Sequence, residues 1–135
     1  MIFLSHLRSI ALVDRDGQPV VHLRLQQSAP ERLSLGRGGA TVRHRATSAD
    51  GRAWLVYTKR PPTPTLKRAR KARENTTPVA VAFATFQGDP GHLHVGLPVR
   101  AIGLPFRLAA QFTPLTNRRY LADDEWNAAL IPLVS

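Results

Sequence analysis

The sequence contains no cysteine. That removes disulfides, thiolate metal sites and cysteine nucleophiles together, and it fits a reducing cytoplasm. No apolar run approaches the ~18 residues of a membrane-spanning helix. Met1 to Leu12 is too short, and lacks the small-residue cleavage site, to read as a secretory signal. The expectation is a cytoplasmic chain with no membrane partner. Aromatic residues are few, 7% against 43% hydrophobic residues overall. A core must therefore be built from Val, Leu, Ile and Ala, with Trp54, Phe83, Phe86, Phe112 and Trp126 as its large anchors.

Acids are scarce as well, nine against 19 Lys and Arg, for a net charge of +10 over 135 residues. Such a charge attracts phosphates, acidic proteins and anionic lipids. The preference for Arg over Lys, with abundant Ala, Pro and Gly, equally fits a GC-rich coding sequence. The scarcity of acids also limits enzyme chemistry, because carboxylates are the usual working acids and bases. Asp14, Asp16, Asp50 and Asp89 fall in predicted turns, and Asp123, Asp124 and Glu125 at a predicted helix start. Glu31 and Glu74 have no partner at motif spacing, so no hydrolytic pair is apparent for the chain acting alone.

What is present reads as one domain, residues 1–135, of the α+β class. The predicted architecture is a mainly antiparallel sheet of five to seven strands built from hairpins, with few helices and one at the C-terminus. Leu7 to Val13 and Val20 to Leu25 flank Asp14-Arg15-Asp16-Gly17, a turn sequence, with one face of the second strand expected to be wet. Thr41 to Thr47 and Arg52 to Lys59 flank a second turn at Ser48-Ala49-Asp50-Gly51. The prolines after Lys59-Arg60 stop that strand and open a basic, Pro-rich connection over 59–75, in which Leu66 to Glu74 reads at best as a short helix. Pro78 to Phe86 is a β-favourable run, with His92 to Leu97 expected to return antiparallel to it. Phe106 to Phe112 adds a strand. An Asp123-Asp124 cap then starts a terminal helix that Pro132 should stop or kink.

Several clusters carry two readings each. His92 and His94 lie two apart on a strand and point the same way. They are either half of a metal site or, more simply, two polar residues on a solvent face; no Cys or carboxylate stands at ligand spacing, so no metal is expected. Gly36-Arg37-Gly38-Gly39 either offers amides to an anion or forms a flexible loop, and it lacks the Gly-Lys-(Ser/Thr) ending of a phosphate loop. Lys67, Arg68, Arg70, Lys71 and Arg73 form a run free of acids. It either tracks a nucleic acid or other anion through salt-dependent phosphate contacts or is a solvated linker face, and no aromatic residue interleaves with it for base stacking.

The stretch Gly103-Leu104-Pro105-Phe106 through Phe112, then Thr116-Asn117-Arg118-Arg119 and Asp124-Glu125-Trp126-Asn127, resembles the segment that follows the nucleotide-binding domain in sacsin-like proteins. These are relatives of the ninety-kilodalton heat-shock chaperone, in the GHKL class of ATPases. Weaker similarity covers Phe3 to Ile10, Ala53 to Thr58 and Thr77 to Ala82. The resemblance implies a non-catalytic middle segment of a chaperone-type ATP-binding protein, coupled to an ATPase domain in cis or trans, with protein clients as further partners. It implies that ATP and magnesium are bound only with a separate N-terminal domain, which the residues numbered here do not supply, and that the chain alone binds no cofactor. It implies that Arg118 reaches the γ-phosphate in trans, with Arg119 as competitor for the role. Against this stands a local role for Arg118, capping or pairing with Asp123 or Asp124. The alternative for the whole chain is a small basic module that binds nucleic acid or an acidic protein.

Overall fold

Alternating apolar side chains in short runs, separated by Gly- and Asp-containing turns, leave this chain one economical way to bury its aliphatic residues: a single large sheet. A computed structural model of the chain describes residues 2–3, 9–34, 40–62, 78–95, 97–117 and 119–134. Its strands are β1 (Ser9–Val13), β2 (Pro19–Gln27), β3 (Glu31–Leu33), β4 (Thr41–Ser48), β5 (Ala53–Lys59), β6 (Val79–Ala84), β7 (His92–Val95), β8 (Leu97–Ala101) and β9 (Phe106–Ala109), followed by helix α1 (Glu125–Val134). They form one sheet in the order β1-β2-β4-β5-β6-β9-β7-β8, with β3 also paired to β4. All neighbours are antiparallel except β7 and β9, which run parallel. Among the described residues no helix is long and apolar enough to cross a membrane.

The turns form for local reasons. Asp14 Oδ1 accepts from the amides of Asp16 and Gln18, both at 2.9 Å, where β1 meets β2. Ser48 bonds the Asp50 carboxylate and the Arg52 carbonyl where β4 meets β5. Gly91 is held at φ 61°, and a Cβ there would collide with the carbonyl oxygens of Leu104 and Phe106. Glycine thus lets the strand leading to β7 lie against the start of β9.

Cross-strand pairing sorts the side chains onto two faces. One face carries Leu25, Ala46, Trp54, Val56 and Ala82, with Ile2 packed over them as one core. The other carries Val79 and Leu93, which α1 covers with Trp126 and Leu130 as a second core. The bottom of the first face is mostly alanine, Ala80, Ala82, Ala84 and Ala109, which makes it shallow.

The sheet has nine strands where five to seven were expected, because Glu31–Leu33 and Leu97–Ala101 also pair, and four further expectations change. His92–Val95 does not return against β6; β9 occupies that place and β7 lies beyond it, because Leu108 and Ala109 pair with both strands. Phe83 is no core anchor: it is 43% exposed, on the part of its face that α1 does not reach. The apolar residues of β1 and of β2 before Leu25 are exposed on both sides, Leu12 and Val20 among them, because this part of the pair extends past β4. Finally, α1 continues through Pro132 to Val134. A proline in the last turn forfeits only one helical hydrogen bond, so it does not stop so short a helix. Leu66 to Glu74 and Gly36 to Gly39 lie outside the described residues.

Candidate functional site

The segment singled out by resemblance folds into a strand, a braced loop and a capped helix. From β9 the chain passes the buried Ala110 and Phe112, and then reverses over Thr113 to Ala122. The reversal is a narrow ladder: Ala122 N donates to Thr113 O at 2.8 Å, Pro114 and Leu121 form a bridge, and Leu115 N donates to Tyr120 O at 2.9 Å. At its tip Asn117 Oδ1 accepts from Arg119 N at 3.0 Å, a local side-chain-to-backbone bond of the kind that closes a turn. Thr116, Asn117 and Arg119 are exposed. Arg118 itself lies outside the described residues.

The base of the loop is fastened by α1. Asp124 is the N-cap, its Oδ1 accepting from Asn127 N at 2.7 Å, three residues on. That carboxylate also complements the positive end of the helix. Asn127, 3% exposed, bridges both strands of the loop. Its Oδ1 accepts from Thr113 N at 2.7 Å, and its Nδ2 donates to Thr113 O at 2.9 Å and Ala122 O at 2.6 Å. Trp126 lies in the second core and donates its Nε1 to Gln111 O at 2.7 Å. The Trp-Asn pair thus joins loop, strand and helix. Asn127 was legible only as part of a motif, since a side-chain amide has no sequence signal for the backbone groups it will meet.

A second polar cluster anchors the start of β9 on the opposite face. The nearly buried Asp89 carboxylate accepts from Arg107 Nε at 2.8 Å and Trp54 Nε1 at 2.9 Å, and its other oxygen accepts from Gly91 N at 3.1 Å. Burial alone would raise the Asp89 carboxyl, but these donors outweigh it and hold it below the usual carboxylate range. The Arg107 guanidinium lies 5.1 Å from the centre of the Trp54 ring. Sequence reading placed Asp89 in a turn, which holds, and missed its two long-range partners.

His94 is 1% exposed, and neither ring nitrogen has a hydrogen-bond partner among the described residues. The simple reading of His92 and His94 as a solvent face is therefore corrected: β7 is flanked by β8 and β9, and Phe3 packs edge-on against His94 at 5.0 Å. Burial, reinforced by the nearby Arg107 and His92 charges, pushes the His94 imidazole down to about 4. On the same face a cleft of about 310 Å3 opens among Gln27, His44, Thr58, Arg60, Ala80 and Gln111. Burial also lowers the His44 imidazole. Among the described residues no group of three or more His, Asp or Glu side chains is placed to hold one metal ion. Lys67, Arg68, Arg70, Lys71 and Arg73 lie outside the described residues.

Comparison of this chain with family models, with curated proteins and with solved structures finds no match in any of the three.

Proposed function

We propose that this chain is the coupling segment of a sacsin-like, heat-shock-type ATP-binding protein. In this reading it supplies Arg118, and a scaffold to hold it, to ATP gripped by a separate N-terminal domain. The observation that supports it best is the braced loop. A reversal whose base is locked by the buried Asn127 and Trp126 projects Thr116, Asn117 and Arg119 into solvent. Such a loop limits the entropy lost when its tip meets another domain.

The chemistry is electrostatic. A guanidinium aimed at the transferred phosphoryl group stabilises charge that grows in the transition state, and it works well only if positioned beforehand. Arginines supplied in this way are worth about 10³ to 10⁵ in turnover. Arg119, whose backbone amide closes the Asn117 turn, is the competitor for the role. Magnesium and nucleotide are gripped by the N-terminal domain, and this chain adds only the guanidinium at the transferred phosphoryl group. Client proteins would be engaged elsewhere in the assembly.

The test is ATP turnover by a protein in which a sacsin-type nucleotide-binding domain is joined to this chain. Arg118→Ala should lower turnover by about 10³ while leaving ATP binding within a few fold. Equal turnover in Arg118→Ala and Arg119→Ala to that of the parent would dismiss the role. Tight magnesium-dependent ATP binding by the chain alone would also sink the reading.

A further inference from the structure

Pairing across β5, β6 and β9 brings together three aromatic side chains that are far apart in sequence. Tyr57, Phe83 and Phe106 lie on one face, with ring centres 6.0 Å apart between Tyr57 and Phe83 and 5.7 Å between Phe83 and Phe106. Phe83 at the middle of this row is 43% exposed. The register adds cations to the same face. Arg45 pairs with Leu55, itself paired with Phe83; Arg43 pairs with Tyr57; Lys59 pairs with Thr41 and Val79. Arg45 is exposed, and Glu31, the one acid paired into this part of the sheet among the described residues, is bonded to Arg43 at 2.5 Å. The second core under α1 begins beyond the row, at Val79 and Leu93, and leaves Phe83 exposed between the half-buried Tyr57 and Phe106.

We infer that this face binds single-stranded nucleic acid, with a base stacked on Phe83 and phosphates held by Arg45 and Lys59. Three observations favour that occupant. A row of aromatic rings on an open sheet gives unpaired bases a surface, and it works without sequence readout because every base has a π-face. The flanking side chains are cationic in a chain of net charge +10, which matches a polyanion. The rings cross at 80° and 53°, so they present one open ring with an edge-on neighbour and a tilted one rather than a flat apolar patch suited to another protein. The inference is independent of the role proposed for Arg118 and of the braced loop, whose described residues follow the other end of β9.

Binding of a fluorescein-labelled oligothymidylate to the full chain, followed by anisotropy at several salt concentrations, tests it. The single strand should bind more tightly than a duplex of equal length. The slope of log affinity against log salt should be about −1.5 to −2, corresponding to two or three phosphates at about 0.7 each. Phe83→Ala should weaken binding about tenfold. Because that change could disturb packing, Phe83→Trp is the second variant: it should retain affinity, and the fluorescence of the new indole should be quenched on binding. The inference is overturned if Phe83→Ala binds within twofold of the parent, which would assign binding to charge alone. It is also overturned if the Phe83→Trp signal is unchanged by the oligonucleotide, or if polyglutamate competes as well as the unlabelled strand, which would make the partner an acidic protein.

Discussion

The loop from Thr113 to Ala122 and the ribbon of β1 and β2 are both chain reversals at the margins of one sheet, and they are held in opposite ways. The loop is polar and its base is buried; the buried Asn127 meets its backbone three times. The ribbon is apolar and exposed: Leu12, Val13, Val20 and Leu23 all lie more than half open to solvent, and its specific bonds are those of the Asp14 turn. Few buried contacts mean low local stability, whatever the hydropathy of the residues. The difference teaches that the rigid part of this domain is where a polar side chain is buried and satisfied, and not where the sequence is most hydrophobic.

That comparison can be broken most directly at Asn127. Asn127→Ala leaves Thr113 N and Ala122 O without their partner, while Thr113 O keeps its bond from Ala122 N, and should cost about 4 kcal/mol, read as a lower midpoint in urea. A loss below about 1 kcal/mol would mean the loop is braced by something else. The β9 side should also be sensitive to acid. His94 is neutral and buried, with its folded value about 4 lying below the ordinary imidazole value of ~6.5. A lowered value contributes stability that is present above about pH 6.5 and is lost as pH falls toward 4, by roughly 3 kcal/mol. His44 acts in the same direction, and the lowered Asp89 extends the loss at still lower pH. Urea unfolding across that range should show the slope, and His94→Leu should flatten it.

A smaller effect is expected at the start of β9. Asp89→Ala leaves Trp54 Nε1 and Arg107 unpaired beneath the sheet and should cost about 2 kcal/mol, with faster amide exchange in β9 and in the 85–91 turn. The smallest belongs to the ribbon, where Leu12→Thr should change stability by no more than about 0.5 kcal/mol, because the side chain is already 59% exposed. Amide exchange in β1 should be fast beside that in β9. Equal protection of the two would erase the contrast between ribbon and loop.

Strand existence was readable wherever a turn signal bounded an alternating run. Asp14 to Gly17 and Ser48 to Gly51 stand between paired strands, and the Asp124 cap starts α1 where the acids suggested. Strand order was not readable for β6, β7 and β9. β6 is joined to β7 by a short Gly- and Pro-containing connection, which argues for direct pairing; yet β9 enters between them, since Leu108 can pack beside Val81 and Leu93 together. The candidate site divides in the same way. Gly103 to Asn127 was visible as a pattern, while the function of its Asn, the partners of Asp89, the burial of His94 and the row of Tyr57, Phe83 and Phe106 depended on residues 14 to 35 positions away or more.

The sequence by itself determined the class of this protein, a cysteine-free, strongly basic, sheet-rich domain with a terminal helix, because composition, turn chemistry and side-chain period act over a few residues. Only the tertiary structure decided which face each strand shows, which polar groups are buried and where the aromatic rings meet. Those outcomes follow from pairing between distant strands, and a free energy of pairing that depends on both partners and on burial cannot be read from either segment alone.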